Sequence, residues 1–223
     1  MDPWWFSEAN PRRSRGREPD REQIDFDIPS TGARGHGVHE EVAMRKIVAG
    51  LAMSLDGVVE APSNWIRFNH ELAAIITAGV AQADAVLLGR RTYLEFAALW
   101  PKQGSDVPMA DFLNNSPKYV LSRNLDTLEW ANSTLLTGDL VEEVSRLKRQ
   151  PGKSIQVPGS PRLVRSLLRE GLLDELALAV HPLVVGSGLR LFDDITERIG
   201  LELVDSATLS TGVLSVTYRP ANA

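Results

Sequence analysis

Between positions 46 and 53 the chain is apolar on both faces of a period-two alternation, the pattern of a strand buried in the middle of a sheet. The turn Ser54-Leu55-Asp56-Gly57 ends it. Asn69 then stands where a helix cap belongs, and Leu72, Ile75, Ile76, Gly79 and Val80 fall on one stripe at helical spacing. A second strand is predicted over 84–89. It runs straight into Arg90-Arg91-Thr92-Tyr93 and a short helix reaching Trp100, and 101–116 reads as a loop with a single helical turn.

The second half keeps the alternation. A strand over 118–121 leads to Ser122-Arg123, and 134–136 is a further strand candidate. Asp139 opens a helix with Glu142 and Glu143 early and Arg146, Lys148 and Arg149 late, an order that complements the helix dipole. The strand over 154–157 enters Pro158-Gly159-Ser160-Pro161, with Ser160 as N-cap and Pro161 as first helical residue. The helix that follows turns Val164, Leu167 and Leu168 inward and Arg162, Arg165 and Arg169 outward. The apolar run 176–185 predicts a long strand, broken by Gly186-Ser187-Gly188. Strands over 201–206 and 213–218, joined around Ser210-Thr211-Gly212, close the chain as an antiparallel hairpin. The expected fold is α/β: a mostly parallel twisted sheet ending in an antiparallel hairpin, with helices on both faces.

Residues 1–43 differ in kind, mixing charges with Pro and Gly, and are predicted to be a disordered extension ahead of one domain over 44–223. Within that extension the Trp4-Trp5-Phe6 cluster is suited to docking on a groove of this or a neighbouring subunit, and Met44, directly before the first strand, offers an alternative start. With 223 residues and 43% hydrophobic content the chain can bury one substantial core. A net charge of −5 argues against a general binder of nucleic acid or anionic membranes. No apolar run approaches the roughly 18 residues of a membrane span, and the N-terminus lacks a secretory signal pattern, so a soluble cytoplasmic protein is expected. The absence of cysteine removes disulfides, zinc–thiolate sites, iron–sulfur clusters and thiol nucleophiles. The closest histidine pair, His36 and His39, falls in a segment without periodicity, and no metal site is expected.

The chemistry starts from the doubled arginine. A helix start carries partial positive charge, so Arg90 and Arg91 sit where the dipole disfavours them unless an anion is bound there. Gly89, Thr92 and the arginines make a phosphate cradle. Two other strand exits share this character, Ser122-Arg123 and Gly159-Ser160, and ligands of open α/β sheets bind along that edge. Two or three phosphates fit a dinucleotide, with the arginines and Ser122 on a 2′-phosphate and Gly159 and Ser160 supplying backbone donors. The usual Gly-x-Gly-x-x-Gly fingerprint and the Walker loop are both absent, so such a site must be of another design.

The order of Ser54-Leu55-Asp56-Gly57, the stretch 84–93, Ser122-Arg123, Gly159-Ser160, the stretch 171–176, and the stretch 182–188 with Leu191-Phe192 resembles the reductase domain of the riboflavin-biosynthesis deaminase/reductase and its stand-alone relatives, over about 45–219. The resemblance implies a dihydrofolate reductase-like sheet of about eight strands, NADPH across the strand ends, hydride delivery to a small heterocycle or ribosylamino-pyrimidine, and a homodimer. It places the cofactor on Ala52, Gly89, Arg90, Arg91, Thr92, Ser122, Arg123, Gly159 and Ser160. Pro158 departs from the family's usual small residue and removes a backbone donor. The deaminase half needs a zinc site built with cysteines, which this chain cannot make. Asp56 and Glu71 are the candidates for orienting substrate or supplying a proton, and Trp65 for walling the pocket. His181 reads as a satisfied core histidine. Two alternatives stand beside this reading: a module that keeps the fold and binds nucleotide or a partner without turnover, and a reductase using a deazaflavin-type donor.

Overall fold

A computed structural model describes residues 44–105, 107 and 109–221. The extension over 1–43, with Trp4, Trp5, Phe6, His36 and His39, lies outside the described residues. In chain order the elements are β1 (Ile47–Ser54), α1 (His70–Ala81), β2 (Ala83–Gly89), α2 (Arg90–Leu99), α3 (Ala110–Asn115), β3 (Lys118–Leu121), β4 (Ser133–Leu136), α4 (Leu140–Lys148), β5 (Ser154–Pro158), α5 (Pro161–Arg169), β6 (Glu175–His181), β7 (Leu201–Thr208) and β8 (Leu214–Pro220). The eight strands form one sheet in the order β4-β3-β2-β5-β1-β6-β8-β7. Pairs from β4 to β6 are parallel, and β8 pairs antiparallel with both β6 and β7.

The sequence pattern explains this order. Val86, Leu87 and Leu88 are consecutive and fully buried, which requires cover on both faces of β2. On one face, Ile47, Ala49, Ile155, Val157 and Leu176 pack against Val144 and Leu147 of α4 and Val164, Leu167 and Leu168 of α5. On the other, Leu72 of α1 joins Leu209, Val213, Ile66, Phe68 and Ala179. Polar anchors fix the strand starts. Asp174 accepts the Ile47 backbone N–H at 2.7 Å while Lys148 holds its carboxylate at the same distance, and Arg45 pairs with Asp84 across the starts of β1 and β2. Lys118, fully buried at the start of β3, donates to the carbonyls of Leu113, Asn114 and Ser116 at the end of α3 and lies 4.6 Å from the Trp130 ring centroid. Burial lowers its pKa to about 8, which still leaves it charged at neutral pH.

Three elements differ from expectation. The predicted strand over 176–185 stops at His181, because Pro182 has no N–H for the ladder. The chain beyond it turns back over the β1 exit: Val59 donates to Leu189, and Leu191 to Gly57, each at 2.9 Å. Arg165 does not face solvent but is 2% exposed, paired with Asp194 at 3.0 Å. In α1 only Leu72 is buried and Ile75 is exposed, so the apolar stripe is narrower than its spacing suggested. Among the described residues no helix is long and apolar enough to cross a membrane, and no group of three or more potential metal ligands occurs.

Candidate functional site

Because β3, β2, β5, β1 and β6 are parallel, their carboxyl ends share one edge, where Gly89, Ser122, Pro158 and His181 end or follow their strands. At the middle of that edge α2 and α5, of ten and nine residues, begin side by side. Neither has a side-chain cap. Ser160 holds the N-cap position of α5 in the left-handed region (φ 56°, ψ 58°), but its hydroxyl accepts the Gly89 N–H at 3.0 Å instead of capping its own helix. That bond ties the two helix starts together. The neighbouring Gly159 has φ 77°, a region glycine enters without the cost other residues bear. The first-turn N–H groups of both helices have no intrahelical partner, so the paired termini present uncapped donors and partial positive charge at one place.

The arginines divide into two kinds. Arg91 is paired with Glu60 and Glu95, each at 3.0 Å, and these carboxylates hold its positive charge in place. The side chains of Arg90 and Arg123 are exposed and form no hydrogen bond or ion pair with described residues. Ser122 accepts the Asn124 N–H at 3.2 Å, which closes the turn that presents Arg123. Thr92 is buried in the first turn of α2. Ala52, half-buried in β1, lies in register with Ala179 of β6, so two small side chains adjoin on the sheet.

At the β1 and β6 exits the acids are consumed by the protein. Asp56 accepts the Ser54 hydroxyl at 2.7 Å and the N–H groups of Val185 and Gly186 at 3.0 and 2.9 Å, with the Arg190 guanidinium 3.6 Å away. These donors, Ser54 first, lower its pKa to about 2. Glu71 accepts the Asn69 amide at 2.9 Å and both the hydroxyl and N–H of Ser210 at 2.5 and 2.9 Å, which pins α1 to the β7–β8 turn and lowers its pKa, the Ser210 hydroxyl contributing most. Both carboxylates are ionised at neutral pH. In this arrangement Asp56 ties down the 183–190 loop and Glu71 the β7–β8 turn.

Trp65 donates its indole N–H to the Glu60 carbonyl at 3.0 Å and meets His181 edge to face, ring centroids 5.6 Å apart. His181 is buried but not satisfied. Its Nδ1 accepts the Arg67 N–H at 3.5 Å, while Nε2 has no partner, a condition worth about 1–3 kcal/mol. Burial, then the charge of Arg67, lowers its pKa and keeps it neutral. Sequence reasoning missed Glu60 and Arg190. Glu60 joins Arg91 to the Leu189 N–H (3.1 Å), and Arg190 donates to the Asp56 carbonyl (3.0 Å); both bridge loops far apart in sequence, and no local pattern signals either.

Comparison with known proteins gives the chain's relatives. The sequence is 32% identical to the uncharacterized protein YyaP of Bacillus subtilis over 182 residues, 78% of this chain and 95% of that one. In structure it is similar to a putative riboflavin biosynthesis protein from Shewanella sp. PV-4 (TM-score 0.62, 18% identity, 79% of this chain and 99% of that one). It is similar to a Thermotoga maritima diaminohydroxyphosphoribosylaminopyrimidine deaminase/5-amino-6-(5-phosphoribosylamino)uracil reductase (0.60, 19%, 80% and 57%). Dihydrofolate reductase from Enterococcus faecalis, complexed with NADP(H), shares the fold as well (0.53, 15%, 79% and 97%). With the sheet order and the site edge in place, the match of residues 45–215 to the RibD C-terminal domain closes the question of kinship: the chain belongs to that family and has its dihydrofolate reductase-like fold.

Proposed function

We infer that this protein is an NADPH-dependent reductase of a small heterocyclic or ribosylamino-pyrimidine compound, working in the cytoplasm without deaminase activity. The observation that carries the reading is the pair of uncapped helix starts joined by the Ser160–Gly89 bond and flanked by the unpaired Arg90 and Arg123. Backbone donors at the α2 and α5 starts suit a pyrophosphate, and an unpaired guanidinium suits the 2′-phosphate that separates NADPH from NADH. Arg90 fits that role better than Arg91, whose charge Glu60 and Glu95 already oppose. NADPH, when bound, supplies the hydride. The chain orients the substrate at the β1–β6 exit, where Asp56 and Arg190 hold the loop over the strand ends.

Proton delivery to the reduced heteroatom falls to water or to the substrate, since Asp56 and Glu71 are held ionised. That same lack of an acid favours one competing reading, a module that binds nucleotide without turnover. Complementation of a strain lacking the riboflavin-pathway reductase separates the two. Growth restored by wild type and not by Arg90→Ala supports the reductase; no growth, with NADPH bound normally, supports the binding module.

A homodimer is part of the proposal. Strand β7 is an edge exposed along its whole length and carries Leu201, Leu203 and Val204, which a second copy would cover. Sedimentation should give twice the chain mass, and Leu203→Lys with Val204→Lys should return it to monomer.

A further inference from the structure

One carboxylate between β1 and α1 serves two elements at once. Glu60 accepts Arg91 Nη2 on Oε1 at 3.0 Å and the Leu189 N–H on Oε2 at 3.1 Å. Its backbone is fixed beside the same loop, since Val59 donates to the Leu189 carbonyl at 2.9 Å and the Glu60 carbonyl accepts the Trp65 indole at 3.0 Å. Gly188 makes the approach possible. At φ 120° it brings the loop so near that a Cβ there would stand 3.0 Å from Val58 Cγ1 and 3.4 Å from Glu60 Oε2. The Leu189 N–H first, then Arg91, lower the Glu60 pKa, so a full negative charge stands against Arg91 at neutral pH.

Arg91 is the second residue of α2, next to the arginine that the proposed function puts on the 2′-phosphate. It is not fully engaged. Its side chain is 69% exposed, with Nη2 on Glu60 and Nε on Glu95, and Nη1 forms no hydrogen bond with a described residue. A phosphate at the α2 start therefore meets a guanidinium with a free donor, whose charge two carboxylates oppose. The two carboxylates are not equivalent. Glu95 lies one turn along the same helix, uses one oxygen and is 60% exposed, whereas Glu60 is held at both oxygens and cannot leave without giving up the Leu189 N–H.

We propose that Glu60 is a specificity-determining residue of the cofactor site: anchored by the Leu189 N–H, it competes with the 2′-phosphate of the dinucleotide for Arg91 and holds the preference for NADPH over NADH below what the doubled arginine alone would give. This rests on the NADPH reading for the position of the phosphate, and on the fixed carboxylate for the competition. The penalty falls on the phosphorylated cofactor, because NADH carries no 2′-phosphate to meet the Arg91 guanidinium.

Fluorescence titrations of the full chain with NADPH and NADH test this on wild type, Glu60→Gln, Glu95→Gln and the double variant Glu60→Gln with Arg91→Ala. Glu60→Gln keeps an oxygen for the Leu189 N–H but loses the charge. It should bind NADPH about two- to fivefold tighter than wild type, the worth of one exposed ion pair, and NADH as wild type does. Glu95→Gln should gain less, and the double variant should lose the gain. A Glu60 that only braced the loop would lower the melting temperature without tightening NADPH. In nitrogen-15-labelled wild type, saturating NADPH should shift the Leu189 amide resonance further than saturating NADH, a signature that needs no variant to fold. Unchanged or weaker NADPH binding in Glu60→Gln, an equal gain for NADH, an equal gain in Glu95→Gln, or a Leu189 amide that does not tell the two cofactors apart overturns the inference. If wild type still prefers NADPH in that case, the cofactor reading stands; binding of neither dinucleotide removes both.

Discussion

Along one sheet edge two neighbouring regions use charge in opposite ways. At the exits of β2, β3 and β5, Arg90, Arg123 and the starts of α2 and α5 are left without side-chain partners. At the exits of β1 and β6, Asp56, Glu60 and Glu71 each accept several hydrogen bonds from loops that would otherwise be loose. A paired charge is architecture; on the proposed reading, an unpaired one beside uncapped helix starts is where the ligand sits. The doubled arginine contains both cases in consecutive residues, since Arg91 braces Glu60 and Arg90 faces outward alone.

The largest effect that can break this contrast is on cofactor affinity. Arg90→Ala or Arg123→Ala should weaken NADPH at least about tenfold while changing NADH little, as expected when a charge-assisted hydrogen bond to phosphate is removed. Arg91→Ala should do less to the difference between the two cofactors. Equal losses at Arg90 and Arg91 would erase the distinction between them. Next in size is Gly159→Ala, which places a side chain at φ 77° and should cost roughly 1–2 kcal/mol in urea unfolding. Ser160→Ala should cost about 1 kcal/mol by removing the partner of the half-buried Gly89 N–H, read as a lower melting temperature. An unchanged melt would mean that the bond does not join the helix starts.

On the closed side the expected effect is smallest and depends on pH. The folded pKa of Glu71 lies below its ordinary 4.5, so its contribution is present above that value and fades as pH falls through the lowered one. Glu71→Gln should therefore differ from wild type in urea midpoint at pH 7, and the difference should close in acid. A difference that persists unchanged in acid would assign the effect to packing.

Much of the architecture was legible because it rests on local rules. The fully buried β2 advertises itself by an unbroken apolar run, and α4 by Asp139 accepting the N–H groups of Val141 and Glu142 with acids early and bases late. The placing of Gly, Ser and Arg at the strand exits was legible for the same reason, since they follow the strands directly. What failed was long-range. Ser160 looked like a cap by composition, yet its hydroxyl goes to a residue 71 positions away. Arg165 looked exposed by helical spacing, and Asp194 draws it inward. The hydrogen bonds that lower the pKa of Asp56 and Glu71 also come from residues distant in sequence, Val185, Gly186 and Ser210.

The central claim is that the β2, β3 and β5 exits form a dinucleotide phosphate cradle that reads the 2′-phosphate. Parallel titrations of the wild-type chain with NADPH and NADH, followed by nicotinamide fluorescence, test it most directly. The account predicts saturable NADPH binding at least about tenfold tighter than NADH. Equal affinity for the two would contradict the assignment of Arg90 and Arg123, and binding of neither would contradict the cradle itself.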